Sequence, residues 1–210
     1  MSFMTPMIVV ATGNKGKLAE IQATAQGAGL DYTFRAIFDL LPDWTSPVED
    51  GDSFEANAMI KARAGFEALG LPTLADDSGL AVDALDGAPG VYSSSFGGVE
   101  GDDARNNARL LDELAAVPEG QRSARFLSTL VLVGLDNLLP DAPHTITATG
   151  ACEGSIGFEA AGEAGFGYDP LFIPATTPDR TMAQLSMQEK NAMSHRGQAL
   201  QNLMDTLHQL

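Results

Sequence analysis

Two neighbouring carboxylates, Asp76 and Asp77, follow a short apolar stretch, Pro72–Ala75. We expect this stretch to be a strand that ends at the aspartates, so that one carboxylate faces a cleft and the other orients the backbone. Carboxylates beside phosphate-binding groups are common ligands of Mg²⁺, which prefers oxygen. Glu49, in an acidic loop, is a candidate second ligand. A solvated turn with capping aspartates has the same composition, so both interpretations stay open.

Lysine is scarce, and its placement is compatible with a polyanionic ligand. Two lysines follow the first apolar run, one lies in a helical pattern, and one precedes the pair His195-Arg196. The four are Lys15, Lys17, Lys61 and Lys190. In an acidic chain, a few cations near glycine-rich turns would suit a small phosphorylated molecule. Lysines placed by chance would instead pair with the abundant carboxylates.

The segment 12–17 joins an apolar β-branched run to a helical pattern. Its residues are Thr12, Gly13, Asn14, Lys15, Gly16 and Lys17. Glycine allows the backbone to approach a phosphate, and a helix N-terminus offers N–H groups and a positive dipole end. The spacing is neither that of a P-loop nor that of a dinucleotide fingerprint. An ordinary strand-to-helix turn is the alternative interpretation.

Groups that suit a nucleobase lie on a second glycine-rich loop and at the start of the last helical pattern. Phe166 and Tyr168 offer ring faces for stacking, and Asp169 can accept from a base N–H. Because arginine only donates, Arg196 beside His195 would favour an oxo group over an amino group. A β-turn with two core aromatics, followed later by polar residues on a solvated helix, would look the same.

Alternating strands and helices must position these residues. We predict strands over 7–12, 31–36, 72–75, 126–135, 144–152 and 170–173. We predict helices over 15–25, 54–69, 102–115 and 194–209, and a short one after the capping-box pair Ser186 and Glu189. Residues 37–52 and 80–98 are predicted to be irregular. This order is typical of an α/β fold with a mixed sheet.

Composition narrows the class of protein. The 210 residues suit one domain, or one domain with two lobes. Twelve Lys+Arg against 28 Asp+Glu give a net charge of −16, which disfavours nucleic acids and anionic membranes as partners. A single cysteine, Cys152, excludes an intramolecular disulfide. Since no apolar run approaches the ~20 residues of a membrane span, we expect a soluble cytoplasmic protein.

Six stretches in this order resemble the inosine triphosphate pyrophosphatase family, also called XTP/dITP diphosphatases, and most closely its bacterial branch. The stretches are Ala11–Lys17, Phe54–Ala58 with Lys61–Arg63, Leu74–Asp83, Gly87–Ser93, Gly165–Pro170, and Glu189–Lys190 with Ser194–Leu200. The resemblance covers residues 7–210 and leaves 1–6 as an N-terminal tail. One departure is Ser95, where bacterial members usually have arginine.

The resemblance implies an elongated α/β fold of the ITPase type, a single domain over 7–210. A long mixed central sheet is flanked by helices, and two lobes surround a nucleotide-binding cleft. It implies a homodimeric, Mg²⁺-dependent hydrolase that converts ITP, dITP and XTP to the monophosphate and pyrophosphate. This reaction would remove deaminated purines from the nucleotide pool.

Residue roles follow from matching positions in the family. Asp77 would accept the proton of the attacking water and, with Glu49, bind Mg²⁺. The triphosphate would be held by Thr12, Gly13, Asn14, Lys15, Gly16, Lys17 and Lys61. Further substrate contacts would come from Ser78, Phe166, Gly167, Tyr168, Asp169 and Lys190. His195 and Arg196 would read the 6-oxo group.

Three other functions stay open. A non-catalytic nucleotide sensor need not keep Asp77, Glu49 and Lys17, so their presence argues against it. A house-cleaning pyrophosphatase for other modified nucleotides, such as modified pyrimidines, would not need the pair His195-Arg196. A nucleic-acid-binding module conflicts with the charge of −16.

Overall fold

The computed structural model describes residues 6–210. The strands are β1 (Met7–Val10), β2 (Thr33–Ala36), β3 (Thr73–Val82), β4 (Ser123–Val133), β5 (Thr145–Ile156) and β6 (Phe172–Pro174). The α-helices are α1 (Lys15–Gly27), α2 (Ile37–Leu40), α3 (Phe54–Leu69), α4 (Asp103–Glu113), α5 (Met187–Met193) and α6 (His195–His208). Short 3₁₀ helices are Asp83–Leu85, Gly90–Tyr92, Leu135–Asn137 and Met182–Gln184. Five of the six residues of the predicted tail, 1–5, lie outside the described part.

Within residues 6–210 the strands form a six-stranded sheet of order β2-β1-β3-β4-β5-β6. β1 pairs in parallel with β2 and β3, whereas β6 is antiparallel to β5. The sheet is therefore mixed, which confirms the predicted α/β class. β4 and β5, which follow each other along the chain, are neighbours in the sheet. In the same described range, no helix is long and apolar enough to cross a membrane.

The chain divides into two compact units. Unit 1 contains the described residues up to Asp77, with Ser128–Gly150 and Arg196–Leu210. Unit 2 contains Ser78–Leu127 and Ala151–His195. β3, β4 and β5 each contribute residues to both units.

Unit 1 has apolar packing on both faces of its strands. Because consecutive strand residues point to opposite faces, Leu74 and Ala75 of β3 enter different clusters. Leu74 packs in a cluster with residues of α1 and α6, and Ala75 packs in one with Ala58 and Ala62 of α3. Burial of these side chains is the main stabilising contribution to the unit. By the same alternation, Asp76 and Asp77, which follow Ala75, lie on opposite faces of β3.

Unit 2 has its own core, in which α4 packs with strand residues. Its largest fully buried side chains include Leu80, Leu110, Leu114 and Phe172. Phe126 packs on Phe172 with ring centroids 4.6 Å apart. The core thus connects α4 with the strands that precede and follow the loop 165–169.

Local signals place several helix ends correctly. Ser53 caps α3, its side chain accepting from the N–H of Ala56 at 3.2 Å. Ser186 and Glu189 form the predicted capping box at the start of α5. These signals act over three residues, so they are readable without tertiary structure.

Three predictions about local structure are wrong. The strand expected to end at Ala75 runs through both aspartates to Val82, because Leu80–Val82 are buried and continue the core. The segment 80–98 is accordingly not all irregular. The segment 37–52 contains the one-turn helix α2, whose first residue, Ile37, is fully buried.

Candidate active site

The predicted phosphate segment forms the start of α1, and Asn14 is its N-cap. The Asn14 Oδ1 accepts from the N–H groups of Gly16 at 2.8 Å and Lys17 at 3.2 Å. Asn14 in turn donates its backbone N–H to the Thr12 hydroxyl at 3.1 Å. Two N–H groups that the sequence offered to a phosphate are therefore already bonded to Asn14. Residues 13–16 are exposed, whereas Lys17 is half-buried.

Lys17 belongs to the Asp76 cluster, which we define as Asp76, Lys17 and Arg196. The Asp76 carboxylate lies 2.8 Å from the Lys17 Nζ and 3.3 Å from the Arg196 Nε. Only 5% of the Asp76 side chain is exposed. Burial alone would raise the pKa of Asp76, but the charges of Lys17 and Arg196 outweigh it and hold the pKa well below its ordinary value. Asp76 is therefore a permanent anion that fixes two cations.

The next residue, Asp77, lies on the opposite face of β3 and meets α3. The Lys61 Nζ lies 2.6 Å from the Glu49 carboxylate and 3.4 Å from that of Asp77. We call these three residues the Asp77 cluster. One ammonium thus lies between the two carboxylates that the sequence predicted as metal ligands.

Asn57, one helical turn before Lys61, supports both carboxylates of this cluster. Its Oδ1 accepts from the backbone N–H of Gly51 at 2.8 Å, which ties down the loop that carries Glu49. Its side chain also hydrogen-bonds the Asp77 carboxylate. A Cβ at Gly51 would overlap with Asn57, so the close approach requires glycine here.

The electrostatics of the Asp77 cluster differ from those of the Asp76 cluster. Burial raises the pKa of Asp77, and although Lys61 lowers it, the Glu49 charge raises it further, so the net shift is upward. Burial would lower the pKa of Lys61, but Asp77 and Glu49 reverse this shift and keep Lys61 protonated. Asp77 therefore takes up a proton more readily than an ordinary aspartate.

The donor set of the Asp77 cluster fits Mg²⁺. Asp77 and Glu49 offer hard oxygen ligands, and the Asp77 side chain is 17% exposed. Within residues 6–210, no group of three or more His, Cys, Asp or Glu side chains is arranged to hold a metal ion. The protein thus offers two carboxylates, and Mg²⁺ commonly completes such a shell with water and phosphate oxygens.

In unit 2, the loop 165–169 presents an aromatic ring to solvent. Phe166 is 66% exposed, and the Lys190 ammonium lies 4.9 Å from its ring centroid. Asp169 is buried, accepts the Phe166 N–H at 3.0 Å and pairs with Lys190. Tyr168 is buried too and donates its hydroxyl to the Ser93 carbonyl at 2.8 Å. Phe166 is thus the ring available for stacking, while Asp169 and Tyr168 hold the loop.

His195 and Arg196 are adjacent in sequence but lie in different units. The His195 ring stacks on Phe126 in unit 2, with centroids 5.1 Å apart and planes 15° apart. Arg196, in unit 1, contacts Asp76 and lies 3.7 Å from Glu20. Their joint reading of a 6-oxo group stays a prediction.

Two further predicted positions lie in unit 2. Ser78 is half-buried in β3. Ser95, the predicted departure from the family pattern, precedes Phe96. A cation does approach this segment, because the guanidinium of Arg109 in α4 lies 4.5 Å from the Phe96 ring centroid.

Sequence reasoning missed Asn57 and did not assign Asp76 to the site. A signal existed for both. Asn57 lies four residues before Lys61, which places both on one helix face, and a strand running through Asp76 and Asp77 sends them to opposite faces. Their partners, however, come from distant segments that no local pattern connects.

The mixed sheet and the two clusters of carboxylates and cations on neighbouring residues of β3 define an α/β protein with a candidate polar site. The Ham1 family model matches residues 8–206, and the chain belongs to this family. It is 46% identical over 200 residues to the dITP/XTP pyrophosphatase of Nocardia farcinica, covering 95% of this chain and 94% of the relative.

Solved structures agree with this assignment. A HAM1 protein from Coxiella burnetii has a TM-score of 0.87 and 40% identity, over 98% of this chain and 100% of the other. A nucleoside-triphosphatase / dITP/XTP pyrophosphatase from Mycobacterium abscessus has a TM-score of 0.79 and 43% identity, over 96% of this chain and 99% of the other. The similarity thus extends along the whole chain of each relative.

Proposed function

We propose that this chain is a Mg²⁺-dependent nucleoside triphosphate pyrophosphohydrolase that acts on ITP, dITP and XTP. The observation that carries the proposal is the Asp77 cluster, in which Lys61 lies between Asp77 and Glu49. It occurs in a chain that is 46% identical to a relative named dITP/XTP pyrophosphatase. The substrates dITP and XTP come to this chain by that relationship, and ITP and Mg²⁺ come by the family resemblance.

The reaction requires water to attack the α-phosphorus. Mg²⁺, held by Asp77 and Glu49, would offset the charge of the phosphate oxygens. Asp77 accepts a proton from the water while the water oxygen bonds to the α-phosphorus. The bond from the α-phosphorus to the oxygen that bridges to the β-phosphorus breaks, and pyrophosphate leaves with that oxygen. The raised pKa of Asp77 suits this role, because a stronger base accepts the proton more readily.

The remaining residues of the Asp77 and Asp76 clusters would orient the phosphates. Because Lys61 contacts both carboxylates, its positive charge can stabilise the negative charge that develops next to them during the reaction. Lys17 is fixed by Asp76, which reduces the entropy lost when it binds a phosphate. Asn14 would act mainly by holding the turn at the start of α1.

Recognition of the base is assigned to Phe166, Lys190 and the pair His195-Arg196. The exposed Phe166 ring offers a face for a purine, and Lys190 beside it is compatible with an oxo substituent. A 6-oxo group accepts hydrogen bonds, whereas the 6-amino group of adenine donates them. The pair His195-Arg196 is retained in the proposal as the donor to this oxo group.

The oligomeric state and the location of the enzyme are further parts of the proposal. On the basis of the family resemblance, a single domain over residues 7–210 would form a homodimer, and the composition of the chain favours a cytoplasmic location. Light scattering coupled to gel filtration would measure the mass, and twice the monomer mass is expected.

The test is pyrophosphate release from a panel of ITP, dITP, XTP, GTP, ATP and dTTP. Each reaction is run with Mg²⁺ and with excess chelator. We expect release from ITP, dITP and XTP that depends on Mg²⁺, with the monophosphate as co-product. Tight ITP binding without pyrophosphate release would contradict the proposal and favour a nucleotide sensor. Preferred turnover of a modified pyrimidine nucleotide added to the panel would favour another house-cleaning activity.

A further inference from the structure

Helix α4 holds one residue of the loop 165–169, Gly167, by both of its backbone polar groups. The Asp103 carboxylate accepts the backbone N–H of Gly167 at 2.7 Å. The Asn107 Nδ2 donates to the carbonyl of the same Gly167 at 2.8 Å. Asp103 and Asn107 are four residues apart, so both project from one face of the helix.

These two bonds fix the residue that follows Phe166. Gly167 has a φ of +60°, a left-handed conformation that glycine adopts without strain. With both its N–H and its C=O bonded, the Gly167 backbone has little freedom to rotate. Phe166 is mostly exposed, so the backbone on either side of it determines where its ring can lie. Asp169 bonds the N–H of Phe166 itself.

The two α4 residues are not in the loop's own sequence neighbourhood. They lie 64 and 60 positions before Gly167, so the contact is purely tertiary. Helix α4 is in turn anchored in the unit 2 core by the fully buried Leu110 and by the buried Asn106. The Asn106 Oδ1 accepts the N–H of Gly97 at 2.6 Å, and its Nδ2 donates to the Ser94 carbonyl at 3.0 Å. A rigid helix thus gives the loop a fixed reference.

We propose that Asp103 and Asn107 are positioning residues for base recognition: they hold the backbone N–H and C=O of Gly167 so that the Phe166 ring is ready to stack on the purine. The inference rests on the proposed function, since it concerns how the substrate's base is bound. Neither residue belongs to the Asp77 or the Asp76 cluster, to which the proposed function assigns the reacting phosphates. Loss of either contact should therefore weaken substrate binding and leave the chemical step nearly unchanged.

The chemistry of the two contacts allows matched variants. Asp103→Ala removes the acceptor of the Gly167 N–H, whereas Asp103→Asn keeps an acceptor oxygen and should restore it. Asn107→Asp replaces the donor by an oxygen that repels the Gly167 carbonyl at almost unchanged volume. Asp112→Asn, an exposed position on the same helix, is the control for loss of one charge.

The experiment combines steady-state kinetics on ITP with amide hydrogen exchange of residues 164–170 in the nucleotide-free protein. For Asp103→Ala and Asn107→Asp we expect KM to rise about five- to twentyfold, with kcat within about twofold of wild type. We expect faster exchange of the Gly167 amide in Asp103→Ala, and wild-type behaviour in Asp103→Asn and Asp112→Asn. Thermal melting controls for damage to α4.

Each failure has a distinct signature. A wild-type protein that hydrolyses none of the 6-oxo purine triphosphates contradicts the proposed function. A wild-type protein that hydrolyses ITP, with unchanged KM in Asp103→Ala and Asn107→Asp, overturns the present inference and leaves the proposed function standing. A fall in kcat that equals the fall in kcat/KM would also overturn it, because the residues would then act on the chemical step.

Discussion

Asp76 and Asp77 are consecutive residues of one strand, yet their surroundings push their pKa values in opposite directions. Asp76 is buried between Lys17 and Arg196, and these two cations hold its pKa well below the ordinary value. Asp77 is half-buried with Lys61 and the like-charged Glu49, and burial with this second carboxylate raises its pKa. The strand's alternation alone directs one carboxylate towards α1 and α6 and the other towards α3.

The difference separates two tasks. An aspartate that stays ionised and bonded to cations suits holding those cations in place, but it is a poor proton acceptor. An aspartate with a raised pKa beside a second carboxylate suits accepting a proton and binding a divalent cation. In the proposed function the two tasks fall to neighbouring residues, so single substitutions can separate them.

The largest effect is expected for Asp77→Asn. The amide cannot accept the water proton and is a weaker Mg²⁺ ligand, so kcat should fall about 10³-fold, or about 4 kcal/mol in activation free energy. Nucleotide binding should persist, because Lys17 and Phe166 are untouched. Pyrophosphate release and ITP titration calorimetry measure the two properties.

Asp39→Asn, an exposed site in α2, is the matched control. A fully active Asp77→Asn would remove Asp77 as the proton acceptor.

The next effect concerns stability and follows from Asp76→Asn. Two cations, with side chains 25% and 11% exposed, would lose their anion, and we expect the free energy of unfolding to fall by about 3 kcal/mol. The folded pKa of Asp76 is depressed, so its contribution is present above the ordinary value of 3.8 and is lost as the pH falls below it. The difference in free energy of unfolding between wild type and Asp76→Asn should therefore be largest at pH 7 and decrease in acid.

Urea unfolding at several pH values measures this dependence. Asp39→Asn again serves as control, because its small effect should not vary in the same way. If the free energies of unfolding of wild type and Asp76→Asn differ little at pH 7, or differ more in acid, the Asp76 cluster contributes little to stability.

A smaller effect is expected for Arg196→Lys. Lysine keeps a positive charge beside Asp76 but lacks the planar fork that reads an oxo group. We expect stability to change by less than about 1 kcal/mol and the preference for ITP over ATP to fall about tenfold. The ratio of kcat/KM for the two nucleotides is the measurement. An unchanged ratio would leave Arg196 as a partner of Asp76 and remove it as the reader of the base.

Local patterns in the sequence predict most of the elements and single out the candidate site residues. Ser53 and the pair Ser186 and Glu189 predict helix starts, because capping bonds span only three residues. The carboxylates and lysines of both clusters stand out by type, since few cations occur in so acidic a chain. The family resemblance then assigns roles that composition alone leaves open.

What the sequence could not give is the pairing of distant groups. The expected end of a strand at Ala75 followed from the polarity of the next residues, but ion pairs to Lys17 and Lys61 compensate those charges inside the sheet. Local patterns also did not show that the Asn14 side chain accepts hydrogen bonds from its own helix, and its contact with a phosphate stays a prediction. The contacts of Asp103 and Asn107 with Gly167 join segments 60 or more positions apart, beyond any local pattern.

The smallest effects test the cause of the difference between the two aspartates. Glu49→Gln removes the charge that raises the pKa of Asp77, so that pKa should fall. Lys61→Met removes the charge that lowers it, so the pKa should rise. Carboxyl ¹³C titration in metal-free protein measures both, with Glu67→Gln, an exposed site on α3, as the control. Shifts in the same direction would mean that Glu49 and Lys61 do not set the proton affinity of Asp77. Suppose that the two substitutions shift the pKa of Asp77 in opposite directions and that the Asp76 carboxyl stays unprotonated over the accessible pH range. The two neighbouring carboxylates would then differ in pKa because of the charges that surround each of them.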